Sequence, residues 1–457
     1  MHKIINPYDG SVVAELKPSS AEDVKAAISR AVSVREQMAQ MPAGDRAAIL
    51  TRTAELIDER RDALAKLMVR ESGKPLRYAM GEVNRCIETL TFAAEAARSM
   101  HGETLQMGAA KGGVGKFGFY IRVPVGVVGA ITPFNFPLNL VAHKVAPAVA
   151  AGCPIVLKPA PTTPLTAQWL ADLMLEAGLP KGAYTVVVGD VEVGKALTTD
   201  PRIAMITFTG SPGVADAISK IVGLRKAAYE LGGNAATIIE RDAELTDGMI
   251  NRIAVGSFAY SGQVCISVQR IYIHESLYEA FKNKFVSRTK ELVLGNPLAP
   301  ETEIGPMITD AAAARVIAWV EEAVKQGASL LCGGIRSAKF VEPTILENVS
   351  HDMRIMCDEA FGPVVNLVPF REYEAALDMA DRSTFGLQAG VYTNNLNKMM
   401  LAIHKLDVGG VMINDVPTFR VDHMPYGGNK RSGVGREGPK FAIEDMTTLK
   451  MVVINHD

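Results

Sequence analysis

The chain is poor in the residue types that cross-link extracellular proteins or grip metals. Cysteine occurs five times in 457 residues, at positions 86, 153, 265, 332 and 357. An odd number so widely scattered excludes a disulfide framework and points to a reducing compartment, the cytoplasm. No cluster of cysteine and histidine has zinc spacing, so no metal is expected. Long apolar runs are also missing. The tracts 123–131 and 145–157 are broken by Pro124, Gly126, Gly129, Pro147, Gly152 and Pro154. Neither approaches the roughly 20 residues of a membrane-spanning helix, and residues 1–6 lack the apolar stretch of a secretory signal. Net charge is small. At −2 there is no excess of either sign to attract nucleic acid or an anionic membrane.

What is present is a globular composition in a chain too long for one core, so two or three structural units are expected. The first hundred residues read as helical. Ser20 and Asp23 form a capping-box signal, followed by Val24, Ile28, Ala31 and Val32 at helical spacing. A second helix is expected over 45–70 and a third after Pro75, through Val83, Ile87, Leu90 and Phe92. Beyond residue 120 the pattern alternates. Strands are expected at 125–131, 154–158, 184–188 and 204–208, with helices at 138–150, 165–177 and 191–198 between them. Repeated strand–helix–strand units predict a parallel sheet covered by helices. Such sheets bind ligands at the carboxyl ends of their strands, which brings 132–135, 158–161 and 209–213 around one crevice. A second α/β pattern runs over 233–437. The strand-like segments 117–123 and 448–455 have no place in the first sheet.

Chemistry enters with Gly262-Gln263-Val264-Cys265. A thiolate is a soft nucleophile for a carbonyl carbon, but a free thiol near pKa 8.5 is only a few per cent ionised at neutral pH, so it needs local help. This segment resembles the catalytic cysteine motif of the aldehyde dehydrogenase superfamily. Further motifs follow in family order. By that resemblance Asn135, in Thr132-Pro133-Phe134-Asn135-Phe136-Pro137, joins the Cys265 backbone N–H as an oxyanion hole. By the same resemblance Glu230, in Tyr229-Glu230-Leu231-Gly232-Gly233, would be the general base that activates the water hydrolysing a thioester. Coenzyme-A-acylating relatives generally lack that base, so the resemblance implies a free acid as product.

The resemblance also implies a dinucleotide site. Lys158, followed by Ala160 and Pro161, would contact the adenosine ribose. Gly210 and Ser211, within Phe208-Thr209-Gly210-Ser211 and ahead of Val214, would receive the pyrophosphate at a helix start. Ile131, Thr132, Pro133, Phe134, Gly194, Leu231 and Gly232 would complete the walls, and Glu359 and Phe361 would hold the nicotinamide end. NAD-specific relatives often carry a glutamate where this chain has Pro161, which admits NADP. No basic residue stands at 160–163 to attract a 2′-phosphate, so NAD is expected.

For the substrate, the resemblance is closest to the lactaldehyde and phosphonoaldehyde dehydrogenase subgroups. Arg85, Phe136, Asn139, His143, Val264, Ile266, Phe419 and Arg420 fall at tunnel positions. Arg85, His143 and Arg420 imply a small anionic aldehyde. Val264 is a departure, because relatives that grip such anions often place Arg there, and it keeps lactaldehyde-like substrates as the alternative. The stretch 110–117 looks like a phosphate loop but carries Ala110 and Phe117 where glycine and serine or threonine are needed; in this family it opens an oligomerisation hairpin. The implied fold is a Rossmann-type NAD(P)-binding domain (1–105 and 125–232), an α/β catalytic domain (233–437) and a small β flap for a homodimer or homotetramer (106–124 and 438–457). A hydrolase or an inactive binding protein would be separated by whether product formation depends on NAD(P), and an inactive relative should have lost Cys265, Glu230 or Asn135.

Overall fold

The computed structural model describes residues 1–456. Two mixed but mainly parallel sheets dominate it. The first runs in the order Gly433–Val434, Lys226–Glu230, Ile203–Thr209, Val127–Ile131, Ile155–Lys158, Tyr184–Val186. The second runs Ser329–Cys332, Thr344–Glu347, Val364–Phe370, Val268–His274, Ala235–Ile239, Gln388–Tyr392, Gly410–Ile413. Strands such as Val127–Ile131 and Ile155–Lys158 are almost wholly buried. Helices cover both of their faces, which is why they read as continuous apolar runs.

The register fixes the crevice. Ile131 stands level with Lys158 on one side and Phe208 on the other, and Thr209 with Glu230 beyond. Four strands thus end together. The N-terminal helices Ala43–Glu59 and Leu76–Ser99 pack on the buried helix Asn139–Ala151 in one core. The helix Ala21–Ser33, with its capping box at Ser20 and Asp23 formed, lies over the opposite side of the sheet.

Three expectations are corrected. The chain begins with a hairpin, His2–Ile5 with Val12–Leu16, rather than helix. The helix expected over 45–70 breaks at Arg60 into Ala43–Glu59 and Arg61–Ser72. As expected, the segments Lys116–Pro124 and Thr447–Asn455 are strands outside the first sheet; they pair with each other over their full lengths, and Glu103–Leu105 adds a short third strand. Finally, Gly433–Val434 pairs with Tyr229 and Glu230 in the first sheet, and Pro439–Asp445 is a helix with Ile443 in that sheet's core. The chain returns to the first unit before it enters the flap.

Among the described residues no helix is long and apolar enough to cross a membrane.

Candidate active site

Cys265 lies in the loop between the helix Asp247–Phe258 and the strand Val268–His274. The turn before it is strained: Tyr260 and Ser261 have φ of 51° and 55°, costly for residues with side chains. Gly262 follows at φ 66°, and a Cβ there would sit 2.2 Å from the Gly362 oxygen. Polar contacts hold this turn. The Tyr260 hydroxyl donates to Ser72 O, the Ser261 hydroxyl to Gly305 O, and Gln263 Oε1 accepts from Ile308 N. Gln263 in the cysteine motif is therefore a clamp on the loop.

Two cavities meet at Cys265. One, of about 380 Å³, is a crevice lined by Pro133, Phe134, Asn135, Thr209, Gly210, Ser211, Leu231, Gly232, Cys265, Glu359 and Phe361, with Leu140 and Arg315. The other, of about 190 Å³, is lined by Arg85, Phe136, Asn139, Val264, Cys265, Ile266 and Arg420, with Arg252, Thr418 and Tyr426 among the rest. Asn135 Nδ2 donates to Gln263 O at 3.0 Å, which keeps the amide at the wall of the first cavity and leaves its second N–H free. Burial pushes the Cys265 thiol up to about 11, against the opposing pull of the Tyr426 hydroxyl 3.1 Å from the sulfur.

Glu230 is buried at the end of its strand, with Oε2 unpartnered. Burial first, and Glu437 second, push its carboxyl well above the usual carboxylate range. It borders neither cavity wall, but its charge bears on the Cys265 thiol.

The crevice fits a dinucleotide. Lys158 is buried, yet its ammonium has a single partner, Pro159 O at 3.3 Å, and the neighbouring Thr132 hydroxyl has none. Buried donors left so poorly paired await a polar ligand. Gly194 abuts Lys158, and Phe208 lies beneath Gly210. Ser211 caps the helix Pro212–Val222 and Val214 lies in its first turn, whose positive dipole end suits an anion. Ala160 and Pro161 flank this end, where Pro161 O contacts the His2 ring. At the other end Glu359 accepts from Gly233 N at 2.9 Å, and burial raises its carboxyl to about 7. A Cβ at Gly232 would collide with that carboxylate at 2.3 Å. Phe361 meets Phe134 edge-on, and Arg315, unforeseen from sequence, draws the Glu359 pKa down from behind.

On the substrate side two assignments are corrected. His143 does not line the cavity. It is fully buried behind Asn139, with Nε2 at 2.7 Å from Asp422 and 3.0 Å from Arg420; burial and then Arg420 push its pKa down, against the pull of Asp422. Phe419 does not line it either: its side chain is 40% exposed. The sequence reading also missed the counter-charges. Arg85 forms a two-pronged pair with Asp422, and Arg420 pairs with Glu437, which also accepts from the buried Lys144. Despite its burial, Asp422 is held well below the usual carboxylate range by His143 and Arg85. A third guanidinium, Arg252, reaches the cavity and pairs with Asp415.

Residues 1–452 match the profile of the aldehyde dehydrogenase family. The chain is 45% identical to a 3-sulfolactaldehyde dehydrogenase of Priestia aryabhattai, over 99% of this chain and 94% of that protein. It is 40% identical to a lactaldehyde dehydrogenase of Methanocaldococcus jannaschii, over 99% and 97%. Aldehyde dehydrogenase 21 from Physcomitrella patens, solved with its reaction product succinate, superposes with a TM-score of 0.98 at 40% identity, covering 99% of this chain and 95% of that one. With a cysteine between a dinucleotide-shaped crevice and a small tunnel, and with similarity along its whole length, the chain belongs to the aldehyde dehydrogenase family of NAD(P)-dependent oxidoreductases.

Proposed function

We propose that the enzyme oxidises a short aldehyde with an acidic tail, a phosphonate, sulfonate or carboxylate, to the free acid, with Cys265 as nucleophile. The observation that carries the substrate class is the convergence of Arg85, Arg252 and Arg420 on the cavity that ends at Cys265. Guanidinium forks match the oxygens of such tails. A volume of about 190 Å³ corresponds to roughly six waters' share of liquid, enough for a few-carbon substrate. Relatives named for sulfolactaldehyde, or solved with succinate, act on molecules of this kind.

The chemistry follows from the residues around the sulfur. The Cys265 thiolate attacks the carbonyl carbon and the π pair moves to oxygen, where Asn135 Nδ2 and the Cys265 N–H donate. The crevice residues Lys158, Ser211 and Glu359 would hold NAD or NADP, which when bound would accept the hydride that leaves that carbon. A thioester on Cys265 remains. Glu230 takes a proton from the water that attacks it, so the product is the free acid.

A second reading has its own support. Arg85 and Arg420 already have carboxylate partners in Asp422 and Glu437, which suits an uncharged hydroxyaldehyde such as lactaldehyde. A kinetic panel separates the two. Sulfo-, phosphono- and carboxyaldehydes should surpass lactaldehyde in kcat/KM. Arg85→Gln should cut kcat/KM for the acidic substrates about 10- to 100-fold, the worth of a charge-assisted contact, and leave lactaldehyde within about twofold. Equal losses on both, or none on either, would reject the acidic-tail reading.

A further inference from the structure

Tyr426 has no part in the steps above, yet its hydroxyl reaches the reacting sulfur at 3.1 Å. Among the described residues that sulfur is the phenol's one hydrogen-bond partner. The ring is fixed on all sides. Its backbone exchanges two hydrogen bonds with Glu437, at 3.0 and 2.6 Å. It packs with Ile266 and Leu387 against Val264 and Cys265. Arg420 stacks on its face, with the guanidinium carbon 3.6 Å from the ring centroid. At 3% exposure the side chain is buried apart from its edge on the substrate cavity. Phenylalanine would fill the same space without burying a polar atom, and a buried hydroxyl costs free energy unless it bonds to something. Here it bonds to the nucleophile.

We propose that Tyr426 is a further catalytic residue, its O–H donating to the Cys265 sulfur so that thiolate is favoured over thiol. This rests on Cys265 being the nucleophile. The thiol proton leaves to water, and Tyr426 keeps its own proton throughout. As the carbon–sulfur bond forms, sulfur loses its charge and the hydrogen bond weakens. When water displaces the thioester, that bond breaks, the electron pair returns to sulfur, and the same O–H is in place to stabilise the departing thiolate. One donor thus serves attack and departure. The Arg420 cation over the ring withdraws charge from the phenol and strengthens it as a donor.

The test is Tyr426→Phe, which deletes one oxygen and keeps the ring. The rate of iodoacetamide alkylation at Cys265, read by peptide mass spectrometry, is followed against pH beside the wild type. A hydrogen bond to a charged group corresponds to about 10- to 100-fold in thiolate population, so the alkylation rate along the rising limb of the profile should fall by that factor. kcat should fall by a comparable factor with KM within about twofold, and an unchanged melting temperature would confirm intact folding. Cys265→Ser is run alongside. If it is inactive while the Tyr426→Phe alkylation profile superimposes on the wild type, the tyrosine proposal is overturned and the nucleophile stands. If Cys265→Ser still turns over, the nucleophile assignment falls and the tyrosine proposal with it.

Discussion

At position 230 a carboxyl group is buried beside a second one. Glu437 and desolvation both oppose its ionisation, while Arg420, Lys144 and Arg436 only partly offset them. Its pKa is therefore raised, and the basic form accumulates only as pH climbs through that raised value. Deacylation in the wild type should accordingly accelerate with rising pH. Glu230→Gln should keep the first-turnover burst of reduced cofactor, since hydride transfer precedes the base's step. Its steady-state rate should drop by about 10²–10⁴ and lose the rising pH limb. Stopped-flow absorbance across pH 6–9 reads both, and a variant with no burst would contradict the assignment of Glu230 to hydrolysis alone. Cys265, Glu230 and Asn135 were readable because each sits in a short local motif. Asp422, Glu437 and Lys144 were not. Lys144 adjoins His143 in sequence, but only the fold brings it to Glu437, 3.0 Å away. The arginines were legible as charges; their partners, and hence how much of that charge is free, were not.

The same boundary between local and distant information runs through the secondary structure. Strands such as Ile155–Lys158 stood out because burial on both faces makes them uninterrupted apolar runs. Lys226–Glu230, which ends on Glu230, has only two buried residues and no such run. The break at Arg60 involves neither glycine nor proline, and the apolar stripe continues across it. The start of helix Asn139–Ala151 shows how long-range partners set local structure. Its own sequence offers no side-chain cap. Instead Glu82, from another helix, accepts from Leu138 N and Asn139 N at 2.9 and 3.0 Å, while the buried Lys74 neutralises it. Glu82→Ala would strand both the helix end and the ammonium, costing on the order of 3–5 kcal/mol and loosening the wall that holds Asn139. Lys74→Met with Glu82→Gln removes both charges and keeps an acceptor for the helix, so the pair should recover more than half of the loss in urea unfolding. A Glu82→Ala protein that unfolds at the wild-type midpoint would refute this account of the helix.

For the molecule as a whole, the flap is the part that does not close on itself. Thr447–Asn455 pairs along one side with Lys116–Pro124 and, among the described residues, has no strand on the other. Leu449, Met451 and Val453 are exposed on one face, and Ile454, with Phe117 and Ile121 of the partner strand, adds further exposed apolar surface. A nine-residue edge strand with five apolar residues is a template for pairing and aggregation in a monomer. The net charge of −2 supplies little repulsion between copies. We therefore propose that the flap is covered by another copy of the chain, in a dimer or tetramer. Sedimentation equilibrium should give a multiple of 49.0 kDa at micromolar concentration. Leu449→Lys together with Met451→Lys places two charges on the apolar face and should shift the mass toward the single chain. The Cys265 alkylation midpoint should not move, because the flap touches neither cavity. A wild-type protein that sediments as one chain, soluble at high concentration, would mean that this edge is tolerated bare and that self-association is no part of the fold's design.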